Sequence, residues 1–315
     1  MLLRRFLRLP PALALGLLLS GLPSFAAPDE PTKSAFRVVG YLPDYRMATT
    51  EVDAAKSLTD VVVFSVEPTA NGGLKWDHLK PESLTRPKEM KRRHGVRLLL
   101  GVGGWDRSSG FAPMSASAEA RKTFGANVVR ACREHGLDGV DIDWEHPASK
   151  AEESQYATLL TELKAALSPH HLSLTLVMAG WQSLPPEAFR AVDRIHLMAY
   201  DAKGRHSTYD FAVADVARLT SRGVPPAKIV LGLPFYGRGV TDRSRTLTYA
   251  EIVRKDAPPP DRDEVDGVYF NGPATIERKV KFARDHHLAG VMIWEIGQDA
   301  PGDPSLLRAI HRASR

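Results

Sequence analysis

The chain has 315 residues, 43% hydrophobic and 25% charged, with a single cysteine, Cys132. That length buries a sizeable core in one large domain or two small ones. The ordinary apolar fraction excludes disorder, and one cysteine excludes a disulfide scaffold. The formal net charge of +5 suggests a nucleic-acid binder only until the first residues are set aside.

Those residues read as a targeting segment. Arg4, Arg5 and Arg8 precede the short apolar run from Leu13 to Leu19, and Ser24-Phe25-Ala26 supplies a small-x-small cleavage pattern. A Sec-type signal peptide is predicted over 1–26, with Ala27 as a near alternative, then a short linker over 27–35. The run is too short to span a bilayer, so no membrane anchor is expected after cleavage. Cleavage removes three arginines and no acid, which lowers the net charge from +5 to +2 and takes nucleic acid off the list of partners. A secreted or periplasmic protein follows, a monomer stabilised by packing rather than by an internal disulfide.

From 36 onward, short apolar runs alternate with amphipathic stretches. Eight strands are predicted: Phe36–Leu42, Asp60–Val66, Val96–Val102, Gly139–Glu145, Leu172–Met178, Arg194–Tyr200, Ile229–Phe235 and Gly290–Ile296. Most are continuously apolar, as strands covered on both faces are. Helical patterns cover Asp77–His94, Ser117–His135, Glu153–Leu167, Phe211–Arg222, Ala274–His287 and Ser305–Ala313, and Gly95, Gly136 and Gly223 sit where helices stop. Eight β/α units in one chain predict a single (β/α)8 TIM barrel over 36–315. A doubly wound sheet is the alternative, but no glycine-rich phosphate turn follows the first strand. The proline-rich segment Asp256–Asp266 is predicted as a loop beyond strand seven, on the side where barrel active sites lie.

The chemistry concentrates in Asp138-Gly139-Val140-Asp141-Ile142-Asp143-Trp144-Glu145. Alternation puts Asp141, Asp143 and Glu145 on one face of strand four and Val140, Ile142 and Trp144 on the other. The apolar face must meet the helices, so the carboxylates point into the barrel and rise toward its C-terminal rim. Stacked like charges raise one another's pKa, which keeps an acid protonated near neutral pH.

Asp138-x-x-Asp141-x-Asp143-x-Glu145 resembles the catalytic motif of glycoside hydrolase family 18, the family of chitinases and related N-acetylglucosaminidases. Further segments resemble other strands of that family: Gly40-Tyr41, Gly103-Gly104-Trp105, Met198-Ala199-Tyr200-Asp201, Gly232-Leu233-Pro234-Phe235-Tyr236-Gly237-Arg238 and Gly290-Val291-Met292-Ile293-Trp294-Glu295. The resemblance implies a retaining mechanism in which the substrate's own 2-acetamido oxygen attacks the anomeric carbon. It implies Glu145 as acid and base, Asp143 as the group that binds the acetamido N–H, and Asp141 as a partner sharing a proton with Asp143. Tyr200 is implied as donor to the acetamido oxygen, Asp201 as a sugar contact, Trp294 as the floor of the reacting subsite and Trp105 as the next platform. Tyr41, Gly104, Met198, Tyr236, Arg238 and His146 complete the expected binding residues. No cofactor and no metal are implied, and the expected partner is chitin or another glycan containing N-acetylglucosamine.

Two departures from the family stand out. Gly101 occupies the place of a frequent serine that supports Asp141, with the Tyr41 hydroxyl as a possible substitute. The insertion between strands seven and eight is short, and Tyr249–Gly272 resembles a trimmed remnant of it, which predicts a shallower cleft suited to endo-cleavage. Among the histidines, His196 is expected to point into the barrel as a hydrogen-bonded core residue, and neither His170-His171 nor His286-His287 has metal-ligand spacing. Cys132 is expected as a small buried hydrophobe. Alternatives are the same mechanism on peptidoglycan or the N-glycan core, a non-catalytic lectin of the same fold, and a metal-dependent hydrolase using the three carboxylates.

Overall fold

A computed structural model describes residues 36–315; the expected signal peptide and linker lie outside the described residues. Eight parallel strands follow one another round the sheet: β1 (Arg37–Pro43), β2 (Asp60–Pro68), β3 (Arg97–Gly103), β4 (Gly139–Asp143), β5 (Ser173–Ala179), β6 (Arg194–Met198), β7 (Ile229–Pro234) and β8 (Gly290–Trp294). β1 pairs with both β2 and β8, so the sheet closes into the expected barrel and leaves no edge between those strands. Alternate residues of each strand go to two separate cores. Val61, Val63, Val140, Ile142 and Ile293 join the cluster under the helices, whereas Val39, Val62, Leu99, Val230 and Met292 fill the barrel interior. Burial on both faces is why these strands are written as continuous apolar runs.

The helices Thr85–His94, Ala118–His135, Lys150–Leu167, Tyr209–Ser221, Pro273–Asp285 and Leu306–Ala313 wrap the outside. Gly95 and Gly136 end the first two in the left-handed region, at φ of 71° and 69°. No helix among the described residues is long and apolar enough to cross a membrane.

Three differences from expectation have local causes. The helix expected from Asp77 begins at Thr85, because Pro81 holds Lys80 extended and a 3-10 turn, Pro81–Leu84, intervenes. The helices Phe111–Ala116, Pro186–Ala191 and Tyr249–Asp256 were not anticipated; at 6, 6 and 8 residues they are too short to display a period. Strand β4 stops at Asp143, two residues before Glu145. There Gly104 N–H and the Ser108 hydroxyl take the Asp143 carbonyl at 2.7 and 3.1 Å, and the chain leaves the ladder.

Between β7 and β8 the chain builds a small α+β module. The short strands Tyr236–Gly239, Thr246–Thr248, Glu264–Val265 and Val268–Tyr269 form an antiparallel sheet. The helix Tyr249–Asp256 follows, opened by a capping box between Thr248 and Glu251. It has the form expected of the trimmed insertion.

Candidate active site

The alternation along β4 works as the sequence implies. Trp144 turns outward, stacked on Phe111 with ring centroids 5.4 Å apart, and lies in the helix-side core with Val140 and Ile142. Asp141 and Asp143 turn inward and are buried, and Glu145 reaches the rim with its side chain 14% exposed. The backbone geometry around them depends on Gly103 and Gly104, at φ of 96° and 100°. A Cβ on Gly103 would meet the Asp143 carbonyl at 2.2 Å, and one on Gly104 would meet the Phe64 ring at 2.3 Å. The double glycine therefore lets β3 close against β4 directly below Glu145.

The column of carboxylates is electrostatically graded. Burial pushes the Glu145 carboxyl up to about 7, with Asp201 and Asp106 adding to the effect. Burial, then Glu145, then Asp141 push Asp143 well above the ordinary carboxylate range. At Asp141 burial acts in the same upward direction but is outweighed by His196, Thr175 and Tyr41, so this carboxylate is held below its ordinary value. Tyr41 donates to Asp141 Oδ2 at 2.5 Å, and the Thr175 hydroxyl donates to Oδ1. The inward-pointing hydroxyl expected to offset Gly101 is thus present. His196 lies 1% exposed in the same network, as expected of a hydrogen-bonded interior histidine.

Around this column stand the other expected residues. Among the described residues the Tyr200 hydroxyl makes one hydrogen-bond contact, with the Met292 sulfur at 3.9 Å. Tyr236 donates to Asp201 Oδ1 at 2.6 Å and Arg238 pairs with the same oxygen at 2.9 Å, so these two hold Asp201 in place. Asp201 itself has φ 65°, a conformation that Asp tolerates better than most residues. The Trp294 ring packs edge-on against Phe64 at 5.0 Å and lies 5.6 Å from Tyr41, contacts that hold it in place. Arg46 pairs with buried Glu295 at 2.9 Å directly after it. Met198 and His146 line the cavity, with His146 Nε2 3.6 Å from Glu145 Oε2. Gly104 takes part through its backbone only.

These side chains enclose a cavity of about 930 Å³. Tyr45, Trp105 and Trp181 are the large hydrophobic side chains exposed among the described residues, at 62, 71 and 63%, and all three line it. Trp181 and Tyr45 were not anticipated. Trp181 packs edge-on against His146 at 4.8 Å. Its signal was available: Trp181 lies three residues past the predicted strand Leu172–Met178, as Trp105 lies three past Val96–Val102. Thr175 was also missed, because a threonine in a strand carries no sign of which partner it meets.

A closed barrel with a rising column of carboxylates under an aromatic cleft defines the (β/α)8 hydrolase class. The sequence model of glycosyl hydrolases family 18 matches residues 37–299, and the chain belongs to that family. It is 28% identical over 280 residues to chitinase 1 of Aphanocladium album, an alignment covering 70% of this chain and 66% of that one. The chain thus spans about two thirds of the length of that curated relative. Among solved structures, a family 18 chitinase from the chitin utilization locus of Flavobacterium johnsoniae is 29% identical with a TM-score of 0.80, covering 89% of this chain and 94% of that chain. A chitinase from Bacteroides thetaiotaomicron is 27% identical with a TM-score of 0.76, covering 89 and 96%.

Proposed function

We propose that this protein hydrolyses β-1,4 bonds next to N-acetylglucosamine in chitin or chito-oligosaccharides, with retention and with the substrate's acetamido group as nucleophile. The observation that carries this reading is Asp143 Oδ1, which is buried with no hydrogen-bond partner among the described residues. A buried orphan acceptor is costly unless a ligand satisfies it, and an acetamido N–H is a donor of the right kind. The Tyr200 hydroxyl, which has only the weak Met292 sulfur contact among the described residues, donates to the acetamido oxygen from the other side and aims it at the anomeric carbon.

Glu145 then acts twice. Raised to about 7 by burial, it keeps a proton through the mildly acidic range and in a large share of molecules at neutral pH, and gives that proton to the glycosidic oxygen. The acetamido oxygen bonds to the anomeric carbon as the glycosidic C–O bond breaks and the leaving sugar departs as an alcohol with that proton, and Asp143 stabilises the charge of the ring-closed oxazolinium ion. Glu145, now a carboxylate, takes a proton from the incoming water, and the ring reopens with the anomeric configuration retained. Trp294 supports the apolar face of the reacting sugar, Asp201 contacts its polar edge, and Trp105 carries the next unit on the leaving-group side. Tyr41, Tyr236 and Arg238 act one step back by holding Asp141 and Asp201. The small module between β7 and β8 walls the cleft lightly, which favours endo-cleavage. An N-terminal signal peptide would deliver the protein to the periplasm or beyond.

The test is product analysis by mass spectrometry on N-acetylglucosamine hexamer and on purified peptidoglycan, with Glu145→Gln as the blank. Dimer and trimer from the hexamer, absent in the blank, are expected. Muropeptide fragments alone would move the substrate to the cell wall. Binding without products from either would make the protein a lectin.

A further inference from the structure

The deepest carboxylate is held by donors from three other strands. Asp141 is fully buried; Tyr41 from β1 donates to its Oδ2 at 2.5 Å, and Thr175 from β5 donates to its Oδ1. His196 from β6 places Nδ1 3.2 Å from Oδ1 and 2.7 Å from the Tyr41 oxygen. β3 contributes nothing: Gly101 stands in register with Asp141, and a Cβ there would meet the Phe64 ring at 2.8 Å. Phe64 has taken the space that a side chain on β3 would need.

Proton counting decides the state of this cluster. A phenol has one hydrogen. Donated to Asp141, it leaves the Tyr41 oxygen an acceptor toward His196, so Nδ1 carries a hydrogen. The reverse arrangement, with a bare Nδ1, sets a ring lone pair against Asp141 Oδ1 at 3.2 Å in a site without water contact, an unfavourable pairing. With Nδ1–H, the Asp141 carboxylate accepts from all three neighbours and has no partner that calls for a proton of its own.

We infer that His196 is a positioning residue that stands in for a β3 hydroxyl: its Nδ1–H holds Asp141 as a permanent anion, so that the proton exchanged in turnover stays with Asp143 and Glu145. This rests on the glycosidase reading and narrows it, since it removes Asp141 from the set of groups that change charge. Other titratable groups near Asp141 are Asp143 and Glu145 above it on the β4 chain, Tyr200 just past β6, and Tyr156 on the helix Lys150–Leu167 behind the sheet. The interior cluster around it takes Phe64 from β2, Val230 from β7 and Met292 from β8, none of which carries charge. The depressed proton affinity of Asp141 and the raised one of Asp143 agree in direction with a fixed charge below and a mobile proton above.

The test compares wild type with His196→Leu and His196→Asn, because an asparagine amide nitrogen stands close to the position of Nδ1. Activity on a chito-oligosaccharide is followed against pH. His196→Leu is expected to lose about tenfold or more in kcat with KM changed little, and to move the acid limb of kcat/KM to higher pH as Asp141 begins to titrate. His196→Asn is expected to keep the limb near its wild-type position. A lowered rate with an unmoved limb in His196→Leu would mean that His196 only packs the interior, and would overturn the inference. So would equal displacement in both variants.

Ring-nitrogen NMR on the wild-type protein needs no variant to fold. Protonated Nδ1 across pH 6–8 is expected, and a bare Nδ1 sinks the assignment. Wild-type inactivity on every acetamido glycan would instead defeat the glycosidase reading, and the nitrogen measurement would still judge the hydrogen bonds by themselves.

Discussion

Glu145 and Gly101 show how single residues set this site. The Glu145 carboxyl, pushed up to about 7 by burial, is protonated over a range where an exposed glutamate is not. Its folded state therefore binds more protons than the unfolded chain between about 4.5 and 7, so stability falls as pH rises through that window. The effect is on the order of 3 kcal/mol. Glu145→Gln is expected to remove it: urea unfolding should find the variant as stable as wild type near pH 4 and more stable near pH 8. The same variant is expected to lower kcat by about 10³-fold or more while oligosaccharide binding by calorimetry stays intact. At Gly101, a serine restores the commoner residue of the family but meets Phe64. Gly101→Ser is expected to cost about 1–3 kcal/mol by overpacking, read as a lowered thermal midpoint, and to yield no gain in rate.

At the scale of elements, the loop after β6 carries Asp201, and it is tied from behind by Lys279 of the helix Pro273–Asp285. This lysine is fully buried, and its ammonium donates to the Ser207 carbonyl at 2.8 Å, the Ser207 hydroxyl at 2.8 Å and Asn271 Oδ1 at 2.7 Å. Ser207 in turn donates to the Ala199 carbonyl next to Tyr200. One lysine thus fastens the Asp201 loop to the end of the small module. Burial lowers the lysine to about 7, against the weaker raising effect of Asp263. Between 7 and about 10 the unfolded chain holds a proton that the folded one has lost, so stability gains with pH there. Wild type is expected to gain on Lys279→Met as pH rises through that window. Parallel curves from chemical denaturation would show that the lysine keeps its charge throughout.

At the scale of the whole molecule, the large exposed aromatic side chains among the described residues gather in one place. Tyr45, Trp105 and Trp181 stand open to solvent around one cleft, while the other large hydrophobics among the described residues are buried at least in part, a patch of the kind that marks a binding surface. Trp181→Ala is expected to raise KM on polymeric chitin several-fold and to leave kcat on a short soluble oligosaccharide within about twofold. An equal loss on both substrates would mean that Trp181 supports His146 and Glu145 rather than the chain of sugars.

Local chemistry is written along the chain, and the sequence by itself determined what depends on it. The eight apolar runs, the alternation that turns Asp141, Asp143 and Glu145 inward, and the glycines that stop helices all follow from periods of two and 3.6 and from backbone sterics. Those rules hold whatever the rest of the molecule does, so the barrel and its acidic strand were legible before any coordinates. The tertiary structure alone decided what meets what across strands. That Phe64 fills the space beside Gly101, that Tyr41, Thr175 and His196 converge on one carboxylate, and that Lys279 fastens the Asp201 loop depend on pairs 37, 100, 34, 55 and 72 residues apart. No periodicity couples such positions; closing the sheet does, because it fixes the register and turns eight separate strands into one shared interior.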